Sequence, residues 1–205
     1  MRVLNEYVSL ISECKCSTNM NIFYLSNNTK ECSQMHVDKH CVKMILEYAQ
    51  LLSTAHRVLD GTCMIGISDL GRKTTSWILP DNRYNILYKA THINHPSAVW
   101  VRQSNSNYSW LSALLEDLSE EYTYRYGKIH KTKRDGLVEF LKDNVPKNIP
   151  TTIFTEPPRC MPEDCKIESV IGSYRNYYKM YKNRMAVWKT RDIPYWFTSQ
   201  LSPLL

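Results

Sequence analysis

With 205 residues, 43% of them hydrophobic and only six glycines, the chain can bury one sizeable core and is neither a disordered segment nor a low-complexity fibre. Its formal net charge of +6 is locally concentrated, since seven Lys or Arg between 166 and 191 stand against the single acid Glu168, and such clustering attracts phosphates. No apolar run approaches the roughly 18 residues of a membrane span, and seven scattered cysteines without a C-x-x-C pair point to a reducing cytoplasm rather than to a disulfide framework or a four-cysteine zinc site.

Residues 1–19 carry Glu6 and Glu13 and no continuous apolar core, so they are expected to form an N-terminal extension, not a signal peptide, ahead of a single helical domain over 20–205. MNIFYL at 20–25 alternates and is rich in β-formers, which predicts a short N-terminal strand. Ser26-Asn27-Asn28 offers N-capping side chains for a helix expected over 29–59, closed by Asp60-Gly61. At about 100° per residue this helix gathers His36, Lys39, His40, Lys43, Glu47, Gln50, Thr54 and Arg57 into one polar strip. Met35, Val37, Cys41, Val42, Met44, Ile45, Leu46, Tyr48, Ala49, Leu51, Leu52 and Ala55 fill most of the remaining arc. An ordinary surface helix shows the opposite balance, so this one is central, its strip facing a ribbon of solvent or an internal cleft. Asp38 and His56 fall inside the apolar arc, where each needs a hydrogen-bonding or charged partner.

Residues 61–76 read as a Gly-, Ser- and Thr-containing loop, followed by a short helix over 82–90. Pro96 suits a first helical position. From Asn107, the residues Tyr108, Leu111, Leu115, Leu118, Tyr122 and Tyr126 recur at spacings of three or four, which predicts a second long helix ended by Gly127. A short helix over 134–142, a connector over 144–164 with five prolines, and a last helix over 167–189 complete the expected architecture. That architecture is a mostly α, single-domain bundle around a central buried helix.

Three constellations carry candidate chemistry. In the first, His36, Asp38, Lys39, His40, Lys43, Glu47 and Gln50 share the start of the central helix. His36 and His40 stand at i,i+4 like two metal ligands, but Lys39 and Lys43 beside them disfavour a dication, so no metal is expected. Phosphate or nucleobase binding fits the local charge better. A Lys crowded by cations is also a candidate Schiff-base nucleophile, and Lys43 is the better placed because Glu47, one turn on, can shuttle the proton. Lys39, His40, Lys43 and Glu47 are therefore the candidate catalytic residues. The plain alternative is a solvated strip in which Lys43 and Glu47 form an ordinary ion pair.

The second constellation, His92, His95, Trp100, Arg102, Asn107, Tyr108 and Trp110, offers stacking faces and phosphate or base-edge contacts. The competing reading is a helix corner with its aromatics in the core. In the third, Glu121 and Arg125 pair at i,i+4 near Tyr126 and His130, either as structure or to position one another at a cleft. No P-loop, dinucleotide or serine-hydrolase signature is present, and no cofactor is expected.

MNIFYL, HVDKHCVKMILEYAQLLSTAHRVLDG, THINHPSAVWVRQSNSNYSWL, EYTYRYGKIHK and EPPRCMPEDCK, followed by YRNYY and a Trp, together resemble a family of bacteriophage and large-virus proteins, some described as pyrimidine-dimer DNA glycosylases. The resemblance covers about residues 20–197. It implies a viral protein of the host-cell cytoplasm with a role in nucleic-acid metabolism, and DNA or a nucleotide as partner. The expected function is an enzyme acting on DNA bases or nucleotides through the His/Lys/Glu strip. The alternative is a non-catalytic nucleotide- or nucleic-acid-binding accessory protein.

Overall fold

The long helix expected over 29–59 is two helices in the computed structural model, which describes residues 20–67 and 69–198. Helix α1 spans Thr29–Met35 and α2 spans Asp38–Asp60, with His36 and Val37 extended between them. The local cause of the break is His36. Its ring Nδ1 lies 2.7 Å from the Cys32 carbonyl, the acceptor that the His36 amide would use in an unbroken helix. That amide donates to the Ser33 carbonyl instead. Side chains that compete for backbone partners end helices in this way. The freed carbonyls are claimed from far along the chain: Arg125 donates to those of Gln34 and His36, and the Trp188 indole to that of Met35.

Helix α2 is the centre of a mostly α fold. It packs against α4 (Pro96–Gln103), α5 (Asn105–Tyr126) and α7 (Leu137–Asp143). Ile45, Tyr48, Leu51, Leu52 and Ala55 are wholly buried there, each of the larger ones contributing roughly 1.5–3 kcal/mol. Two members of the expected apolar arc, Val42 and Leu46, are instead 40% and 41% exposed. The helix is thus enclosed along its C-terminal half and open along Lys39, Val42, Lys43 and Leu46, which share one face. Among the described residues, no helix is long and apolar enough to cross a membrane.

The expected strand at 20–25 does not form. Its side chains are buried throughout rather than alternately, and its backbone bonds to side chains in place of a neighbouring strand. The Phe23 amide donates to Tyr48 Oη, the Leu25 amide to Cys32 Sγ, and Arg175 donates to the Leu25 carbonyl. The expected 61–76 loop holds an antiparallel hairpin, β1 (Thr62–Ile67) and β2 (Lys73–Ile78), with Cys63 opposite Trp77 and Ile65 opposite Thr75. Its signal was the pair of β-branched runs either side of Asp69-Leu70-Gly71, with Gly71 at φ +71°. Arg57 fastens the base of the hairpin, donating to the carbonyls of Trp77, Tyr84, Leu87 and Tyr88.

Gly61 joins α2 to this hairpin at close quarters. A Cβ there would sit 2.5 Å from the Arg57 carbonyl oxygen and 3.0 Å from that of Ile78. Both obstacles are backbone, so Gly61→Ala is expected to cost about 1–3 kcal/mol in urea unfolding, the scale of an overpacked site. A loss under about 0.5 kcal/mol would show that the junction gives way freely.

The other helices follow the sequence pattern with shorter reach. Helix α3 is only Arg83–Ile86. Pro96 opens α4 as expected, and Gly127 at φ +63° closes α5. The helix expected over 134–142 is two, α6 (Lys131–Arg134) and α7, separated by Gly136 at φ +79°. Helix α8 runs Val170–Tyr181, well short of the expected 189, and α9 is Tyr195–Thr198. The chain leaves α8 early because tertiary partners take over: the Val187 carbonyl accepts from the Asp38 amide, and Trp188 reaches Met35.

Candidate functional site

Near its N-terminal end α2 forms one wall of a cleft of about 270 Å³. Lys39, His40, Lys43 and Glu47 line it, four of the expected strip residues, one to four residues apart along the helix. Phe23, Met44 and Met185 add apolar walls, and Lys182 arrives from just beyond α8. Three ammonium groups thus meet one carboxylate. The Lys43 ammonium lies 2.8 Å from Glu47, and its side chain is 55% exposed against 9% for Glu47. Burial raises the Glu47 carboxyl above its ordinary pKa, opposed by its hydrogen bond with Lys43 and by the charges of Lys43 and His92. Lys182 lies over the Tyr177 ring, 4.8 Å from its centroid.

His40 is only 6% exposed and stacks on Phe23 at 4.0 Å between ring centroids. Its Nδ1 lies 2.7 Å from the Tyr178 hydroxyl. Burial first, then the neighbouring His36, Lys182 and Lys43, lower the His40 pKa to about 2, so the ring is neutral.

His36 and His40, spaced like two ligands in the sequence, do not converge. His36 Nδ1 can only donate to the Cys32 carbonyl, and its Nε2 accepts from Tyr48, whose hydroxyl takes the Phe23 amide. Both ring nitrogens are spent in the core, so His36 is a fold residue. Among the described residues, no three His, Cys, Asp or Glu gather as metal ligands. Gln50 is half-buried one turn beyond Glu47, outside the cleft lining.

The second constellation divides. Thr54 on α2 accepts from the Thr91 amide at 3.2 Å and so brings the 91–95 loop alongside the strip. There His92, in the left-handed region at φ +48°, is exposed and near enough to Glu47 to act on it electrostatically. His95 caps α4 through Nδ1, leaving its buried Nε2 without a partner. The remaining members turn inward. Trp100 donates to Thr155, Arg102 to the carbonyls of Ile93 and Ala98, and Trp110 to that of Asn27. Asn107 holds the Trp100 carbonyl and Thr155. Tyr108 bonds His56, the partner that this histidine needed in the apolar arc. Trp100 and Asn107 thus tie the proline-rich connector to α4 and α5, Trp110 ties α5 to Asn27, Arg102 ties α4 to the 91–95 loop and Tyr108 ties α5 to α2 and the end of α7, and none of the five lines the cleft.

The third constellation is also structural. Arg125 is wholly buried, bound to Glu121 at 2.7 Å and Asp38 at 2.9 Å, and Arg191 joins Glu121 from outside. His130 caps α6, and Tyr126 lies under the Lys189 ammonium. Sequence reasoning missed Phe23, Tyr178 and Lys182. The basic run over 166–191 was the one signal for Lys182, while Phe23 and Tyr178 looked like ordinary core. Comparison with protein-family models, curated proteins and solved structures found no match to this chain.

Proposed function

We propose that the protein is an enzyme acting on DNA bases or nucleotides, of the glycosylase or base-modifying kind, with the α2 cleft as its working site. The observation that carries this reading is a buried carboxyl of raised pKa, Glu47, hydrogen-bonded to Lys43 in an open cleft with two further lysines. Lys39 and Lys182 draw in the phosphates. A carboxyl held above its ordinary range gives and takes protons more readily than an ordinary glutamate at the same pH. In the lyase form of the reaction, Glu47 takes a proton from Lys43, the freed amine attacks the sugar carbon, and the base departs with the proton returned by Glu47.

The Lys43–Glu47 ion pair favours a second reading. In it the pair is static and the protein only binds its nucleotide or nucleic acid. Borohydride trapping separates the two. Incubated with abasic, damaged and normal DNA, the wild type is expected to give a covalent adduct with one of them. Lys43→Ala is expected to abolish it, and Glu47→Gln to slow it by about 10²-fold or more, the lower range for removing a general acid–base. An adduct that survives Lys43→Ala but not Lys39→Ala would move the nucleophile one turn back. No adduct with any DNA would remove the lyase reaction and favour the binder.

A further inference from the structure

We infer that the cleft is built to hold a phosphate group, with the Nε2–H of His40 as a fixed, uncharged donor among the ammonium groups of Lys39, Lys43 and Lys182. The inference rests on the reading of this cleft as the working site and assigns His40 a different role from that of a base. In the inferred arrangement the Tyr178 hydroxyl, 2.7 Å from His40 Nδ1, donates its proton to that nitrogen. A neutral imidazole that accepts at Nδ1 carries its proton on Nε2. His40 therefore meets a ligand as a donor. It cannot serve as the general base of the cleft, a role left to Glu47.

The surroundings favour an anion over a neutral ligand. Lys39, Lys43 and Lys182 outnumber the one carboxylate among the cleft residues. Phe23, stacked on the imidazole, and the two methionines give the inner wall an apolar surface, beside which charge-assisted hydrogen bonds are stronger than in open water. Lys182 is brought there by a turn whose own hydrogen bonds hold it, the Met185 amide donating to the Lys182 carbonyl. A neutral donor suits this place because a fourth cation would be repelled by the other three, whereas an N–H adds a directed bond without that cost.

The test is long-range ¹H–¹⁵N NMR of the histidine rings of the full chain, titrated with inorganic phosphate against chloride at constant ionic strength. His40 is expected as the Nε2-protonated tautomer before phosphate is added, with a saturable shift of that nitrogen afterwards. His40→Ala is expected to weaken phosphate binding about tenfold or more, the worth of one hydrogen bond to a charged group. His40→Gln, whose amide nitrogen reaches the Nε2 position, is expected to retain binding within about threefold of wild type. Lys182→Ala, at a half-buried site outside the core, is expected to weaken it severalfold and guards against misfolding of the His40 variants. An Nδ1-protonated ring, no shift with phosphate, or full binding by both His40→Ala and Lys182→Ala would each overturn the inference. Titration with a 5′-mononucleotide and with a dinucleotide bearing only a bridging phosphate distinguishes a terminal phosphate from a strand backbone. Phosphate binding without any trapped DNA leaves this inference standing and removes the lyase reaction. Trapped DNA with no response to phosphate does the reverse.

Discussion

Arg125→Ala is expected to cost about 3–5 kcal/mol of folding stability, the scale for breaking a buried ion pair. That is a large part of the 5–15 kcal/mol typical of a domain. The guanidinium has no exposed surface and serves four partners: Glu121, Asp38, and the carbonyls of Gln34 and His36. The two carbonyls belong to the break between α1 and α2, so the residue holds that break open as well as balancing charge. Burial pushes the Glu121 carboxyl up, but Arg191 and Arg125 outweigh it and keep the group below its ordinary range. With alanine at 125, Glu121 keeps Arg191 alone, and the carbonyls lose their donor in a site closed to water. Arg125→Lys keeps the charge but not the planar fork, and is expected to recover less than half of the loss. Urea unfolding followed by circular dichroism measures both. A cost below about 1 kcal/mol for the alanine variant would show that water or another side chain replaces the clamp.

The second large effect is acid sensitivity well above the carboxylate range. Burial is the main cause that lowers the pKa of His36 to about 4, of His56 to about 4 and of His40 to about 2. In the unfolded chain a histidine titrates near 6.5. Between that value and the folded one, the unfolded chain binds the extra proton, so the stability of the folded state falls as the pH falls. Each ring contributes a slope of about 1.4 kcal/mol per pH unit once the pH is below 6.5. Taken together, the three remove on the order of 6 kcal/mol between pH 6.5 and 5.

The geometry shows why the folded rings resist protonation. His56 Nδ1 faces the Arg83 guanidinium at 3.2 Å, a group that only donates. Its Nε2 therefore donates to Tyr108 Oη, 2.9 Å away, and Tyr108 passes its own proton to a backbone carbonyl. A proton on Nδ1 would point at a cation. In His36, a proton on Nε2 would oppose the Tyr48 hydroxyl, which is already oriented by the Phe23 amide. The thermal midpoint is expected to be flat from pH 8 to 7 and to drop steeply between 6 and 5, with a shallower drop in His56→Gln. Equal midpoints at pH 7 and 5 would show that the rings protonate in place and that their burial is not what the contacts indicate.

Local chemistry was enough to anticipate a mostly α fold around one central helix. The apolar arc through Ile45, Tyr48, Leu52 and Ala55, Pro96 at a helix start and Gly127 at a helix end each act within a few residues, and each stands where the pattern put it. The strip holding Lys39, His40, Lys43 and Glu47 was equally legible, because helical spacing alone brings those side chains to one side. Whatever depended on distant partners was not. The 29–59 helix breaks at His36 because Arg125 and Trp188 take up the carbonyls that the break releases, and nothing within 29–59 reveals them. Residues 20–25 had the composition of a strand but met side chains rather than a second strand, and a strand exists only by pairing. Val42 and Leu46 are exposed because packing by α4, α5 and α7 encloses the other side of α2, a matter of where helices dock and not of periodicity. His36 and His40 were indistinguishable in sequence, two histidines one turn apart. Tertiary contacts separated them, closing both nitrogens of His36 inside the core and setting His40 at the cleft with Tyr178, 138 residues away, on its Nδ1.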